Sequence, residues 1–234
     1  MGKSNLAEQY PDSMDTLLKL LDPENISDQL KRLEEIHEVV ELAWERNIAR
    51  IKDKPIRYLL VAEAAPWTPN GNHPRYFYES LNGAWVGRVL RAFFGQHRFD
   101  TDEESWSELA NRGFLLVDTL PFALKYITRV RRGSNYLNLL KASKEYFIEK
   151  LNHPKITWDE NVKAAFAFRW NGLRVMEAYG SEARLPNGHE MSFDESLIAA
   201  DGSGYTSTSR LCDIWGLPMQ HHTTKRCRAK KSSI

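Results

Sequence analysis

Apolar residues recur at helical spacing from about Met14 to Ile51: Leu17, Leu18 and Leu21, then Leu30, Leu33, Ile36, Val39, Val40, Leu42 and Ala43. Pro23, Glu24 and Asn25 predict a break between two helices, with Ser27 as the cap of the second. From Arg57 the pattern changes to short apolar runs bounded by Pro and Gly. Arg57–Glu63, Gly113–Asp118 and Ala164–Phe168 read as buried strands, and Ser196–Ala200 as a weaker fourth. Between them lie helical stretches over Trp85–Phe94, Glu104–Asn111, Leu137–Leu151 and Leu173–Tyr179. Strands alternating with helices predict an α/β three-layer sandwich, with a central, mostly parallel four-stranded sheet and an N-terminal helical extension. In such sheets ligands bind at the carboxyl ends of the strands, here near Glu63, Asp118 and the Ser/Thr loop at Thr206.

Composition narrows the chemistry. Of 234 residues, 42% are hydrophobic, enough for a single sizeable core, and 32 Lys and Arg nearly balance 31 Asp and Glu. Any basic, nucleic-acid-binding surface is therefore local. Two cysteines, Cys212 and Cys227, are too few for a disulfide framework, a four-cysteine zinc site or a four-cysteine iron–sulfur cluster. The expected compartment is a reducing cytoplasm, with no apolar signal region and no membrane span. No phosphate-binding or dinucleotide glycine motif stands out, so no cofactor and no metal is expected. His221 and His222 near Cys227 have a hint of metal spacing, but they sit in a polar tail.

Four segments carry candidate chemistry. In Val61–Trp67 a carboxylate, Glu63, follows a buried strand, with Trp67 and Tyr76–Tyr78 around a Pro/Gly/Asn-rich loop at residues 68–74. Aromatic rings beside a carboxylate suit the stacking of a base, although a lone Glu there equally suits a helix cap or a solvated rim. Gly83-Ala-Trp85-Val-Gly87-Arg88 opens an apolar helix, its glycines permitting close backbone approach. Leu115–Pro121 ends a strand in Asp118, a carboxylate able to read a base edge or to cap a helix. Gly204–Cys212 holds Thr206, Ser207, Thr208, Ser209 and Arg210, small hydroxyls and amides suited to phosphate oxygens or to an ordinary loop. Lys125, Arg129, Arg131 and Arg132, interleaved with Tyr126 and Tyr136, offer a phosphate-tracking face or a solvated loop.

In this order the segments resemble the uracil-DNA glycosylase superfamily, over roughly residues 55–217. Ala62-Glu63-Ala64-Ala65-Pro66 followed by Ala84-Trp85-Val86-Gly87-Arg88 is similar to the layout of the thermophilic-type enzymes, whose four cluster-binding cysteines this chain lacks. Their aromatic at the position of Trp85 stacks on the flipped base. The Thr206–Arg210 segment resembles the Pro-Ser-Ser-Ser-Ala-Arg loop of mismatch-specific thymine/uracil glycosylases, which grips phosphates; the proline and the histidine of many relatives are absent. Asp118 stands where the superfamily has an Asn that reads uracil. An ionised Asp only accepts hydrogen bonds, which suits the exocyclic amine of cytosine, whereas a protonated one also donates.

The resemblance implies a monofunctional DNA glycosylase acting on a flipped-out base in double-stranded DNA. Residues 1–54 would be a helical extension, 55–220 the glycosylase domain and 221–234 a basic tail. Glu63 and Asp118 are the expected catalytic pair, with Trp67, Tyr78, Trp85 and Asp118 holding the base. The expected substrate is a modified cytosine, such as the glucosylated hydroxymethylcytosine of phage DNA. Repair of uracil or mismatched thymine is the alternative, and a non-catalytic nucleic-acid-binding module or a hydrolase of free nucleosides or nucleotides are readings of other classes.

Overall fold

The computed structural model describes residues 6–21, 23–68, 76–81, 84–124, 130, 133–180, 194–202 and 204–219. Helices α1 (Leu6–Gln9), α2 (Pro11–Leu18) and α3 (Ile26–Ile51) come first, with Pro23–Asn25 forming the break as a 3-10 turn. Asn25, not Ser27, is the cap residue of α3, and its side chain makes no capping bond. Strand β1 (Pro55–Ala62), helices α4 (Ala84–Phe94) and α5 (Asp102–Asn111) and strand β2 (Phe114–Asp118) follow. Thr101 caps α5 by accepting the Glu104 amide, a stop on free N–H groups that the sequence carries locally. Helices α6 (Gly133–Ala142) and α7 (Lys144–Leu151), strand β3 (Thr157–Phe166), helix α8 (Arg169–Tyr179) and helix α9 (Thr208–Trp215) complete the described elements.

The sheet is open, parallel throughout and three-stranded among the described residues, in the order β2–β1–β3. The expected fourth strand is a correction. Its segment begins as a 3-10 turn (Glu195–Leu197) and touches β3 only at the Phe166–Ile198 bridge, the Ala199 amide donating to the Phe166 carbonyl at 2.9 Å. It then reverses at once. The Asp201 amide donates to the Tyr205 carbonyl and Ala200 bridges antiparallel to Thr206, so the backbone turns away before a ladder forms. Another correction concerns Leu137–Leu151, which is two helices meeting at the buried Ser143.

Leu59, Leu60, Val61, Leu115, Leu116 and Val117 are all buried, as expected for strands covered on both faces. One apolar cluster joins them to Leu17, Leu33, Ile36, Trp44 and Ile48 of the N-terminal helices and to Trp215 of α9. At Gly113 (φ 75°) an added Cβ would lie 2.4 Å from the Pro55 carbonyl oxygen, so glycine lets the entry to β2 press against β1. Gly172 plays the same part for α8 against Phe166. Among the described residues no helix is long and apolar enough to cross a membrane.

Candidate active site at the strand ends

The register decides which side chains meet. Ala62 of β1 lies opposite Asp118 of β2, and Val61 opposite Phe166 of β3. Past these pairs the chains stay side by side. The Thr119 amide donates to the Ala62 carbonyl at 3.0 Å, the Leu124 amide to the Ala65 carbonyl, and the Trp67 amide to the Leu124 carbonyl. The Thr119 hydroxyl donates to the Glu63 carbonyl at 2.9 Å and accepts from the Asn171 side-chain amide at 3.1 Å. Asn171 also donates to the Tyr136 hydroxyl at 3.0 Å. The backbone of Glu63 is thus bracketed by β2, α8 and α6.

A small pocket opens above these ends, with a cavity volume of about 20 Å³. Glu63 and Asp118 both line it, with Trp85, Phe168, Tyr76 and Phe77 as aromatic walls. Trp85 packs against Phe77 (centroids 5.4 Å apart) and Phe168 (5.9 Å), which orients its ring without burying it. The Trp106 indole donates to the Phe77 carbonyl at 3.0 Å and fixes that turn from behind.

Asp118 is 5% exposed. Burial, and then the charge of Glu63, push its carboxyl up to about 7. Two carboxyl groups in one small volume resist double ionisation, so near neutral pH Asp118 exchanges a proton. The Tyr76 phenol is pushed well above its usual range by burial and by Asp118, which keeps it a neutral donor. The pocket therefore brings two carboxyl groups and a phenol between flat aromatic walls.

The sequence assignments divide accordingly. Glu63, Asp118 and Trp85 come together as expected. Tyr78 does not: it is buried to 1%, its hydroxyl accepting the Leu116 amide at 2.7 Å, so its ring belongs to the core. Trp67 faces a separate apolar cavity, with Leu17, Leu21, Leu33 and Leu124. Of the Tyr76–Tyr78 triplet it is Tyr76 and Phe77 that line the pocket, and Phe168 is the aromatic that the sequence did not single out. Phe168 ends the third apolar run and Tyr76 opens an aromatic triplet, yet neither feature alone tells which way a ring turns.

The hydroxyl loop needs a similar correction. Thr206 is fully buried and donates to the Ala167 carbonyl at 2.6 Å, while Thr208 donates to the Arg88 carbonyl at 3.1 Å. Both hydroxyls are spent on the fold. Ser207 and Ser209 bond each other at 2.9 Å near the surface, and Arg210 reaches the Ser196 carbonyl at 3.4 Å. Arg88 fastens the loop by donating to the Thr206 carbonyl at 2.7 Å. Lys125, Arg129, Arg131 and Arg132 lie outside the described residues, as do His221, His222, Cys227 and most of the loop after Thr68. Cys212 is buried. Among the described residues, no group of three or more His, Cys, Asp and Glu is placed to hold a metal ion.

No family model matches the chain, and neither a curated protein nor a solved structure matches it. The functional reading therefore rests on the pocket.

Proposed function

We propose that the protein is a monofunctional DNA glycosylase that hydrolyses the N-glycosidic bond of a flipped-out modified cytosine and leaves an abasic site. The observation that carries this reading is the pairing of Glu63 with a proton-exchanging Asp118 in one aromatic-walled pocket at the strand ends. Two carboxyl groups in different protonation states are what acid–base hydrolysis of a glycosidic bond requires.

In the reaction, the extruded base lies against Trp85. Glu63, as carboxylate, takes a proton from water as the water oxygen bonds to the anomeric carbon. The carbon–nitrogen bond breaks with its electron pair going to the base, and positive charge that develops on the sugar is offset by Glu63. Asp118, as acid, gives its proton to the ring nitrogen of cytosine while its carbonyl oxygen accepts from the exocyclic amine. The products are a neutral base and an abasic sugar. A glucosylated hydroxymethyl group is the modification we favour.

The proton on Asp118 also supports a second reading, excision of uracil or mismatched thymine. A carboxylic acid donates to a carbonyl and accepts from a ring N–H, as an Asn does. The deciding experiment measures abasic sites in duplexes carrying uracil, a G·T mismatch, cytosine, hydroxymethylcytosine or its glucosylated form. Cytosine-derivative excision that Glu63→Gln abolishes is the expected result. Excision of uracil alone replaces the substrate, and silence on every base overturns the enzyme.

A further inference from the structure

The reaction above uses Glu63 and Asp118 but not the buried polar side chains tied to the Glu63 backbone. Thr119, Asn171 and Tyr136 are each fully buried. They come from three different elements: the exit of β2, the first turn of α8 and the middle of α6. Their hydrogen bonds run in one line. The Asn171 side-chain amide donates to the Tyr136 hydroxyl at 3.0 Å and to the Thr119 hydroxyl at 3.1 Å. Thr119 donates in turn to the Glu63 carbonyl at 2.9 Å.

Donor and acceptor chemistry fixes the direction of this line. The Glu63 carbonyl only accepts, so the Thr119 proton goes to it and the Thr119 oxygen is left to accept. Asn171 must therefore turn its NH2 group, not its carbonyl, toward Thr119. The Asn171 Oδ1 is buried and has no partner among the described residues, a cost that a residue serving only the core would not carry. Gly172 holds the amide at its height. A Cβ there would stand 3.0 Å from the Phe166 side chain and 3.2 Å from that of Ile198, so α8 presses closely on β3.

The line reaches Glu63 where the sheet ends. Backbone bonds still join the Ala167 amide to the Val61 carbonyl at 2.9 Å and the Thr119 amide to the Ala62 carbonyl at 3.0 Å. At the next carbonyl, that of Glu63, a side-chain hydroxyl takes over. Fixing that peptide plane fixes the Cα–Cβ direction of Glu63, and hence where its carboxylate can stand in the pocket it shares with Asp118. We propose that Thr119 and Asn171 are positioning residues of the pocket, a one-way hydrogen-bond line from α8 that sets the stance of the Glu63 carboxylate. The effect on excision rests on the glycosylase reading; the effect on Glu63 itself does not.

The test takes two readouts on the full chain. One is kcat and KM for abasic-site formation; the other is the Glu63 carboxyl-carbon NMR resonance, assigned from its loss in Glu63→Gln. Thr119→Val keeps the volume and deletes the hydroxyl. It is expected to lower kcat about thirtyfold with KM within about twofold, and to move the Glu63 resonance. Thr119→Ser is expected to restore both. Tyr179→Phe deletes another buried hydroxyl, one that donates to the Leu140 carbonyl at 2.9 Å, and is expected to change neither. An unmoved resonance in folded Thr119→Val overturns the proposal, and so does a loss of kcat in Tyr179→Phe equal to that in Thr119→Val. Should Thr119→Val not fold, Asn171→Ala is read in the same way. A moved resonance in a chain that forms no abasic site on any duplex leaves the positioning standing and removes the glycosylase. Abasic-site formation whose kcat Thr119→Val leaves unchanged keeps the glycosylase and overturns the positioning.

Discussion

Glu41 is a half-buried carboxyl group and Asp118 a buried one, and the fold treats them in opposite ways. Glu41 accepts from the ammonium of the buried Lys150, which lies over the indole of Trp44. Asp118 shares its pocket with a second acid, Glu63, and an indole, Trp85, and makes no ion pair among the described residues. The first arrangement satisfies charge within the protein. The second leaves hydrogen-bonding capacity directed at an open volume, an expense in stability that a binding site explains and a core does not.

The comparison can be broken most directly at the pocket. Glu63→Gln keeps the shape and removes the base, and should lower excision by about a thousandfold or more, measured as abasic-site formation per hour. Next in size is Asp118→Asn, expected to reduce excision of a cytosine derivative by roughly a hundredfold while sparing uracil. The same variant tests stability. In the fold Asp118 holds its proton to about 7 against an ordinary 3.8, so the folded state binds more protons than the unfolded one between those values. Stability from this group is therefore full below about pH 4 and declines as pH rises toward 7. Asp118→Asn should raise the unfolding free energy above pH 7 by roughly 2 kcal/mol and flatten that slope, as thermal melts across pH would read. His37 titrates with the opposite sign, costing stability as pH falls below its ordinary 6.5, and is common to both chains.

At Glu41 the expected outcome is reversed. Glu41→Gln should destabilise the protein, by about 1–2 kcal/mol in denaturant melts, because it leaves a mostly buried ammonium without its counter-charge. The two indoles give the smallest and sharpest contrast. Trp85→Ala should raise KM about tenfold with little effect on melting, since its ring borders open space. Trp44→Phe should cost roughly 1 kcal/mol of stability and leave KM unchanged; equal effects of both on KM would erase the distinction between the two regions.

Much of this was readable in advance where local chemistry decides. The apolar runs at Leu59–Val61, Leu115–Val117 and Ala164–Phe166 read as buried strands and lie in β1, β2 and β3, and the strand ends bring Glu63 and Asp118 to one pocket. What escaped was decided by partners distant in the chain. The helix break at Ser143 has no Pro or Gly nearby; it is stabilised by the Ser13 hydroxyl, which donates to the Ala142 carbonyl and accepts from Ser143. Tyr76, Phe77 and Tyr78 are consecutive in a turn, where no periodicity sorts inward from outward rings. There the Leu116 amide claims Tyr78 and leaves the other two to the pocket. Trp67 followed its own amide, tied to Leu124, toward the N-terminal helices. Thr206 and Thr208 were legible as hydroxyls but not as hydroxyls already engaged, which depends on where Ala167 and Arg88 arrive in space.

The fastening of that last loop has a thermodynamic corollary. Thr206 to Ala167, Arg88 to Thr206 and Thr208 to Arg88 form a closed circuit of bonds linking β3's exit, α4 and the start of α9. Its backbone entropy is surrendered during folding, so an anion meeting Ser207 and Ser209 encounters a surface that has little order left to acquire. Association there should resemble the docking of rigid bodies, with a small heat-capacity change and a rate set by electrostatics and ionic strength, not by loop rearrangement.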